Sequence, residues 1–151
     1  MFTPLRLLLV ISVLTCGTDR LCGQGKLADP FPVLAAGRPL DVKLHGAAAP
    51  WLHDFNQDGV KDLLVGEGYE GRLRIYLNHG SSAMPRFNGY SLFKDGMPAG
   101  RVPSNNGFCP VIADLDRDGL DDLLTPAWYG HIRWFRQESP GVFAAAEPIL
   151  N

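Results

Sequence analysis

Beyond its first 25 residues, this chain places apolar side chains at alternate positions in short bursts. "GRLRIYLN" alternates Leu73, Ile75 and Leu77 with polar residues, and "HIRWFRQ" does the same with Ile132, Trp134 and then Arg136. A period of two is the signature of a half-buried strand. No stretch beyond the leader keeps apolar residues at i, i+3, i+4 and i+7 for three turns, so the pattern predicts strands and no long helix.

The bursts recur. "PWLHDFNQDGVKDLLV" (residues 50–65) aligns without gaps on "PVIADLDRDGLDDLLT" (110–125), and "GYEGRLRIYLN" (68–78) answers "WYGHIRWFRQ" (128–137) after one residue is dropped. A third element begins near Phe31, Phe87 and Phe143, which lie 56 residues apart. Each unit therefore predicts one strand into an acidic loop, one out of it, a third after a Tyr-Gly turn and a fourth after the Phe. Four short strands in about 60 residues is the size of one β-propeller blade. The expected fold class is all-β: a partial β-propeller of about two four-stranded antiparallel blades plus a strand of a preceding blade.

The expected organisation is a leader at 1–23, the last strand of a preceding blade with its linker at 28–48, a first blade at 49–100, and a second at 101–151 that is incomplete at its C-terminus. Propellers close with about four to eight blades. The chain thus reads as a fragment, a truncated frame or an oligomerising piece, whose missing blades come from a longer chain or from self-association. The leader has Arg6, the apolar run Leu7 to Leu14, and then small and polar residues, with cleavage after Gly17 or Gly23. That order is the layout of a secretory signal, and the run is too short to span a bilayer. The expectation is a secreted, periplasmic or cell-surface protein with no transmembrane segment in its mature form.

Composition agrees with many turns and short strands: 17 Gly and 12 Pro in 151 residues. The net charge of −2, with scattered Lys and Arg, gives no nucleic-acid surface. Cys16 and Cys22 lie in or beside the leader, leaving Cys109 without an internal disulfide framework and reading as a small buried apolar residue. A secreted domain of this kind needs another staple, and a bound metal is one.

The acidic loops supply candidates. Asp54, Asn56, Asp58 and Asp62 in the first, and Asp114, Asp116, Asp118 and Asp122 in the second, put oxygen donors at alternate positions of a tight loop. Calcium takes six to eight oxygens at flexible geometry, and the main-chain carbonyls of Val60 and Leu120 fall at the seventh position, where such loops add one. Gly59 and Gly119 sit at the sharp bend, where positive φ is expected. An EF-hand would need an acid at position twelve and flanking helices. Position twelve is Val65 or Thr125, the last acid comes at position nine, and Pro126 opposes a helix. The loop therefore joins two strands. Two structural Ca2+ sites are expected. The second should be the tighter, because its four side-chain donors are all carboxylates whereas the first has Asn56 and the neighbouring Lys61.

This D-x-[DN]-x-D-G-x-x-D pattern, between an apolar strand and Asp-Leu-Leu, resembles the FG-GAP or VCBS repeat over roughly residues 30–151. The resemblance implies a β-propeller of the kind found in integrin α-chain heads and bacterial secreted proteins, with the same residues as calcium ligands. The Phe-Gly and Gly-Ala-Pro signatures of the integrin form are not legible, so the bacterial form fits better. It implies a non-enzymatic binding or adhesion scaffold for a protein or glycan ligand. The alternative is the non-catalytic end of a propeller-type polysaccharide lyase or sugar dehydratase. The aromatic residues Trp51, Tyr69, Tyr76, Tyr90, Trp128, Tyr129 and Trp134 read mainly as packing, with Trp128 and Tyr129 the best candidates for a sugar platform. His45, His53, His79 and His131 share no metal spacing, and no nucleophile elbow, phosphate loop or zinc-protease motif is present.

Overall fold

The computed structural model describes residues 29–42, 48–68, 70–96, 107–127 and 131–149. The leader, and the expectations placed on Cys16, Cys22, His45, Tyr69, Trp128 and Tyr129, lie outside these residues. The described residues form twelve short strands: β1 (Leu34–Ala35), β2 (Arg38–Pro39), β3 (Ala48–His53), β4 (Asp62–Glu67), β5 (Leu73–Tyr76), β6 (Ser91–Leu92), β7 (Val111–Ala113), β8 (Asp122–Pro126), β9 (Ile132–Phe135), β10 (Gln137–Ser139), β11 (Val142–Phe143) and β12 (Glu147–Ile149). The one described helical element is a 3-10 turn at Phe93–Gly96. No helix among the described residues is long and apolar enough to cross a membrane.

Two four-stranded antiparallel sheets carry the fold. The first runs β3-β4-β5-β6 and the second β7-β8-β9-β12. This is the strand order expected of partial propeller blades, and the described residues form no closed ring. The fourth strands, β6 and β12, both begin four residues after the Phe that marks the repeat, at Ser91 after Phe87 and at Glu147 after Phe143. Two short hairpins, β1-β2 and β10-β11, stand beside the sheets. The β1-β2 hairpin touches the Phe element of the first repeat through a parallel bridge from Ala35 to Phe87.

Alternation decides what each face meets. On the first sheet Leu64, Leu73 and Ile75 point to the second sheet, which answers with Leu123 and Phe135, joined by Phe143 of the β10-β11 hairpin. Phe93 and Phe108 fill the space between them. Phe93 meets Phe108, Phe135 and Phe143 edge to face at centroid distances of 6.3, 5.1 and 5.3 Å. Aromatic pairs at such angles add to the burial of their area. The opposite face of the first sheet, Leu63, Val65 and Tyr76, is covered by Val42, Leu40 and Ala35 with Phe87.

A buried ion pair fastens that outer cover. Arg74 donates to Glu67, and its Nη1 donates to the Asp41 carbonyl at 2.9 Å. Its guanidinium lies 4.4 Å from the centre of the Tyr90 ring. Burial pushes the Tyr76 phenol above its ordinary pKa, although Arg74 pulls it down.

Two expectations change. Cys109 is exposed, because Phe108 turns inward at 1 % exposure and the next side chain must turn outward. The aromatic residues divide: Tyr76 is buried, while Trp51 and Tyr90 are 38 and 51 % exposed.

Candidate metal centre

Each acidic loop is the turn of a hairpin, β3-β4 in the first repeat and β7-β8 in the second. The turn must reverse within the eight residues between the strands (54–61 and 114–121), so its amides cannot pair across strands. Side-chain oxygens take them instead. In the first loop the Asp58 and Gly59 amides donate to Asp54 at 2.9 and 2.8 Å, and the Val60 amide donates to Asp58 at 2.9 Å. In the second the Asp118 and Gly119 amides donate to Asp114 at 3.2 and 3.1 Å, and the Leu120 amide donates to Asp118 at 2.8 Å. The donor and acceptor positions are identical.

The bend falls where the glycines are, with φ of 86° at Gly59 and 90° at Gly119. Gln57 and Arg117 also take positive φ, 60° and 65°. Neither is a residue type that announces this conformation. Together the two left-handed steps turn the side chains at the first, third and fifth loop positions to one side.

In the second loop, Asp114, Asp116 and Asp118 each offer a carboxylate oxygen, and all three oxygens lie within 4.8 Å of one another at the surface. Three like charges so close repel unless a cation sits among them. Oxygen-only donors at this spacing fit a hard ion such as calcium. In the first loop the middle donor is Asn56, whose Nδ2 donates to Asp58 at 2.9 Å. That amide hydrogen bond does part of what a cation would do. Val60 and Leu120 sit at the ends of the loops, half-buried.

Asp62 and Asp122 stand apart from these exposed groups. Both are completely buried. Asp62 accepts from the Phe55 amide at 3.0 Å and the Asn78 amide at 2.8 Å. Asp122 accepts from the Leu115 amide at 3.1 Å and the Gln137 amide at 2.9 Å. Each therefore clips the start of its loop to the end of the third strand. Burial raises the pKa of Asp62 from its ordinary value. The Asn78 and Phe55 amides pull it back, and the charge of Asp58 adds to the rise.

Two residues with no place in the ligand pattern complete the frame. Asn78, 4 % exposed, donates to the carbonyls of Lys61 and Ser81 at 3.1 Å each and accepts from the Gly80 and Arg86 amides at 2.9 Å each. Gln137 holds the matching position. With its amide oriented to satisfy both ends, it donates to the Asp121 carbonyl at 3.1 Å and accepts from the Gly141 amide at 2.9 Å. The signal in the sequence was their alignment, since each closes its copy of the "LRIYLN"/"IRWFRQ" segment.

Charges around the loops differ. Arg136 Nη1 lies 3.9 Å from Asp116, and His53 Nε2 lies 3.4 Å from Asp121, linking the first hairpin to the second.

Residues 54–125 match the family model of an FG-GAP-like repeat, from the first acid of the first loop to β8 behind the second. No curated protein and no solved structure matches the chain.

Proposed function

We propose that this chain, which carries an FG-GAP-like repeat over residues 54–125, is a secreted, calcium-stabilised binding scaffold for a protein or glycan ligand. The observation that carries the calcium reading is the convergence of Asp114, Asp116 and Asp118 on a turn whose hydrogen bonds recur in the first loop. In this reading Asp54, Asn56, Asp58 and the Val60 carbonyl hold one ion, and Asp114, Asp116, Asp118 and the Leu120 carbonyl hold the other. Asp62 and Asp122, the ninth-position acids of the same pattern, brace each loop through the two main-chain amides they accept. Bound calcium supplies structural charge neutralisation. The chain's residues hold the turn in shape and keep the third strand against it.

Calcium stabilises a fold it binds by mass action, about 2.7 kcal/mol for each site at 100 times its dissociation constant. The test is a melting curve in calcium and in chelator. A rise of several degrees in calcium is expected, and an unchanged transition overturns the reading. Glycan-array binding without turnover would fit the scaffold role. Depolymerisation of a polysaccharide by the chain would overturn the scaffold reading.

A further inference from the structure

A cleft of about 360 Å3 opens between the two repeats. Phe55 of the first acidic loop, Ile75 of β5, Leu92 of β6 and Phe93 of the 3-10 turn line its first side. Val142 and Phe143 of the β10-β11 hairpin line its second. The Phe55 and Phe143 rings stack at 5.6 Å between centroids, with 19° between their planes, so the two sides share one aromatic wall. Small-ligand sites are of this size and this apolar, and a few polar groups orient what they hold.

The polar group here is Lys94, the one polar side chain in the lining. Its ammonium donates to the Phe143 carbonyl at 2.5 Å and lies 5.7 Å from the centre of the Phe93 ring. Both partners belong to the cleft, so the charge stands at the cleft. An ammonium has three N–H donors, and the carbonyl takes one. Among the described residues no carboxylate forms an ion pair with it. A half-buried cation whose partners are a neutral carbonyl and a ring favours an anion beside it. Lys94 is also held in the left-handed region, at φ 47°. Lysine does not favour this region, and residues kept there gather at binding sites. The lining tells against a sugar, whose several hydroxyls would find one polar side chain to answer them.

We propose that this cleft binds an apolar ligand that ends in one carboxylate. The body lies against Phe55, Leu92 and Val142, and the carboxylate takes the remaining donors of Lys94. Two sources share that chemistry: a free aromatic or branched acid, and the C-terminal end of a protein whose last side chain is apolar. The proposal rests on the scaffold reading only in giving that scaffold a ligand class, and it needs no calcium.

NMR titration of the full chain with 3-phenylpropionate and with 3-phenylpropionamide tests it. The acid should bind at least about tenfold more tightly than the amide, because only the acid makes a charge-assisted bond. Lys94→Met keeps the stem and removes the charge. It should abolish the preference with circular dichroism unchanged, and Lys94→Arg should keep most of it. The wild-type comparison decides by itself should Lys94→Met not fold. Equal binding of acid and amide overturns the proposal, as does a preference that survives Lys94→Met. No binding of either up to about 10 mM also overturns it, and leaves the scaffold reading to be judged on the glycan array. The last arm is a short peptide ending in Phe with a free carboxylate. Binding tighter than that of 3-phenylpropionate, and lost on amidation, upholds the proposal and gives the cleft to a protein end. Binding no tighter upholds it and gives the cleft to a free acid.

Discussion

In the first repeat β4 is buried at every position from Asp62 to Glu67, while in the second β8 is half-buried at Leu124 and exposed at Pro126. The loops ahead of these strands share their main-chain hydrogen bonds yet differ in charge. The first carries the neutral Asn56, which donates an internal hydrogen bond to Asp58. The second carries Asp116, which faces Arg136 at 3.9 Å. The comparison separates two layers of one repeat. Its frame is the loop turn and the buried Asp, which both copies keep. Its dressing is the sheet-face cover and the ligand charge, which vary between copies. Substitutions in the frame should therefore act alike in both repeats, and those in the dressing should not.

The sharpest contrast is at one register position. Gly66→Ala puts a Cβ into the Phe108 backbone, which no rotamer can relieve. It should cost about 3 kcal/mol, the upper part of the range for overpacking. Pro126→Ala, at the matching exposed site, should change stability by no more than about 0.5 kcal/mol. Urea unfolding of both variants measures this. Equal small effects would mean that the contact of Phe108 with Gly66 does not hold the sheets together.

The frame itself comes next. Asp62→Ala and Asp122→Ala each strand two amides that have no other acceptor in the turn. Each should cost about 2 kcal/mol in chelator, within the range for unsatisfied buried donors. The two losses should agree within about 0.5 kcal/mol, because the pairs Phe55/Asn78 and Leu115/Gln137 are equivalent. A large loss at one site and none at the other would break the claim of a common frame.

How much of this was legible depended on how local each feature is. The acidic turns could be read directly, since their donors lie within nine residues and Gly59 and Gly119 mark the bend. The strand order followed from the repeated Phe87 and Phe143. The clipping role of Asp62 and Asp122 was not legible as such. Their partners Asn78 and Gln137 are 16 and 15 residues away, and a buried Asp looks the same in sequence as an exposed ligand. The hairpins β1-β2 and β10-β11, with strands of two or three residues, are too short for a period to show. The exposure of Cys109 depended on the parity of Phe108, which only the packing of the two sheets fixes.

Ligand charge gives the next effect. With three exposed carboxylates in the second loop against two and an amide in the first, calorimetry should find the second site tighter. Asp116→Asn should weaken it, and Asn56→Asp should strengthen the first, each by about tenfold, or about 1.4 kcal/mol. Arg136 competes for Asp116 and keeps the gap between the sites smaller than the carboxylate count alone implies. If Asn56→Asp leaves the first site unchanged, the internal bond from Asn56 to Asp58 is not what separates the loops.

The smallest effect concerns protons, in chelator, where ligand charge does not intervene. Burial raises the pKa of Asp62 more than its two amide donors lower it. A carboxyl whose folded pKa lies above its unfolded one contributes stability that is fully present below the unfolded value and is lost as pH rises through the folded value. The stability of wild type relative to Asp62→Asn should therefore fall as pH rises from about 4 to about 7, by less than about 1 kcal/mol. Most paired carboxylates behave in the opposite sense. Melting both proteins across that range reads the sign directly. A rising difference would show that the Phe55 and Asn78 amides outweigh burial, and that this buried Asp is held as a comfortable anion even before any cation arrives.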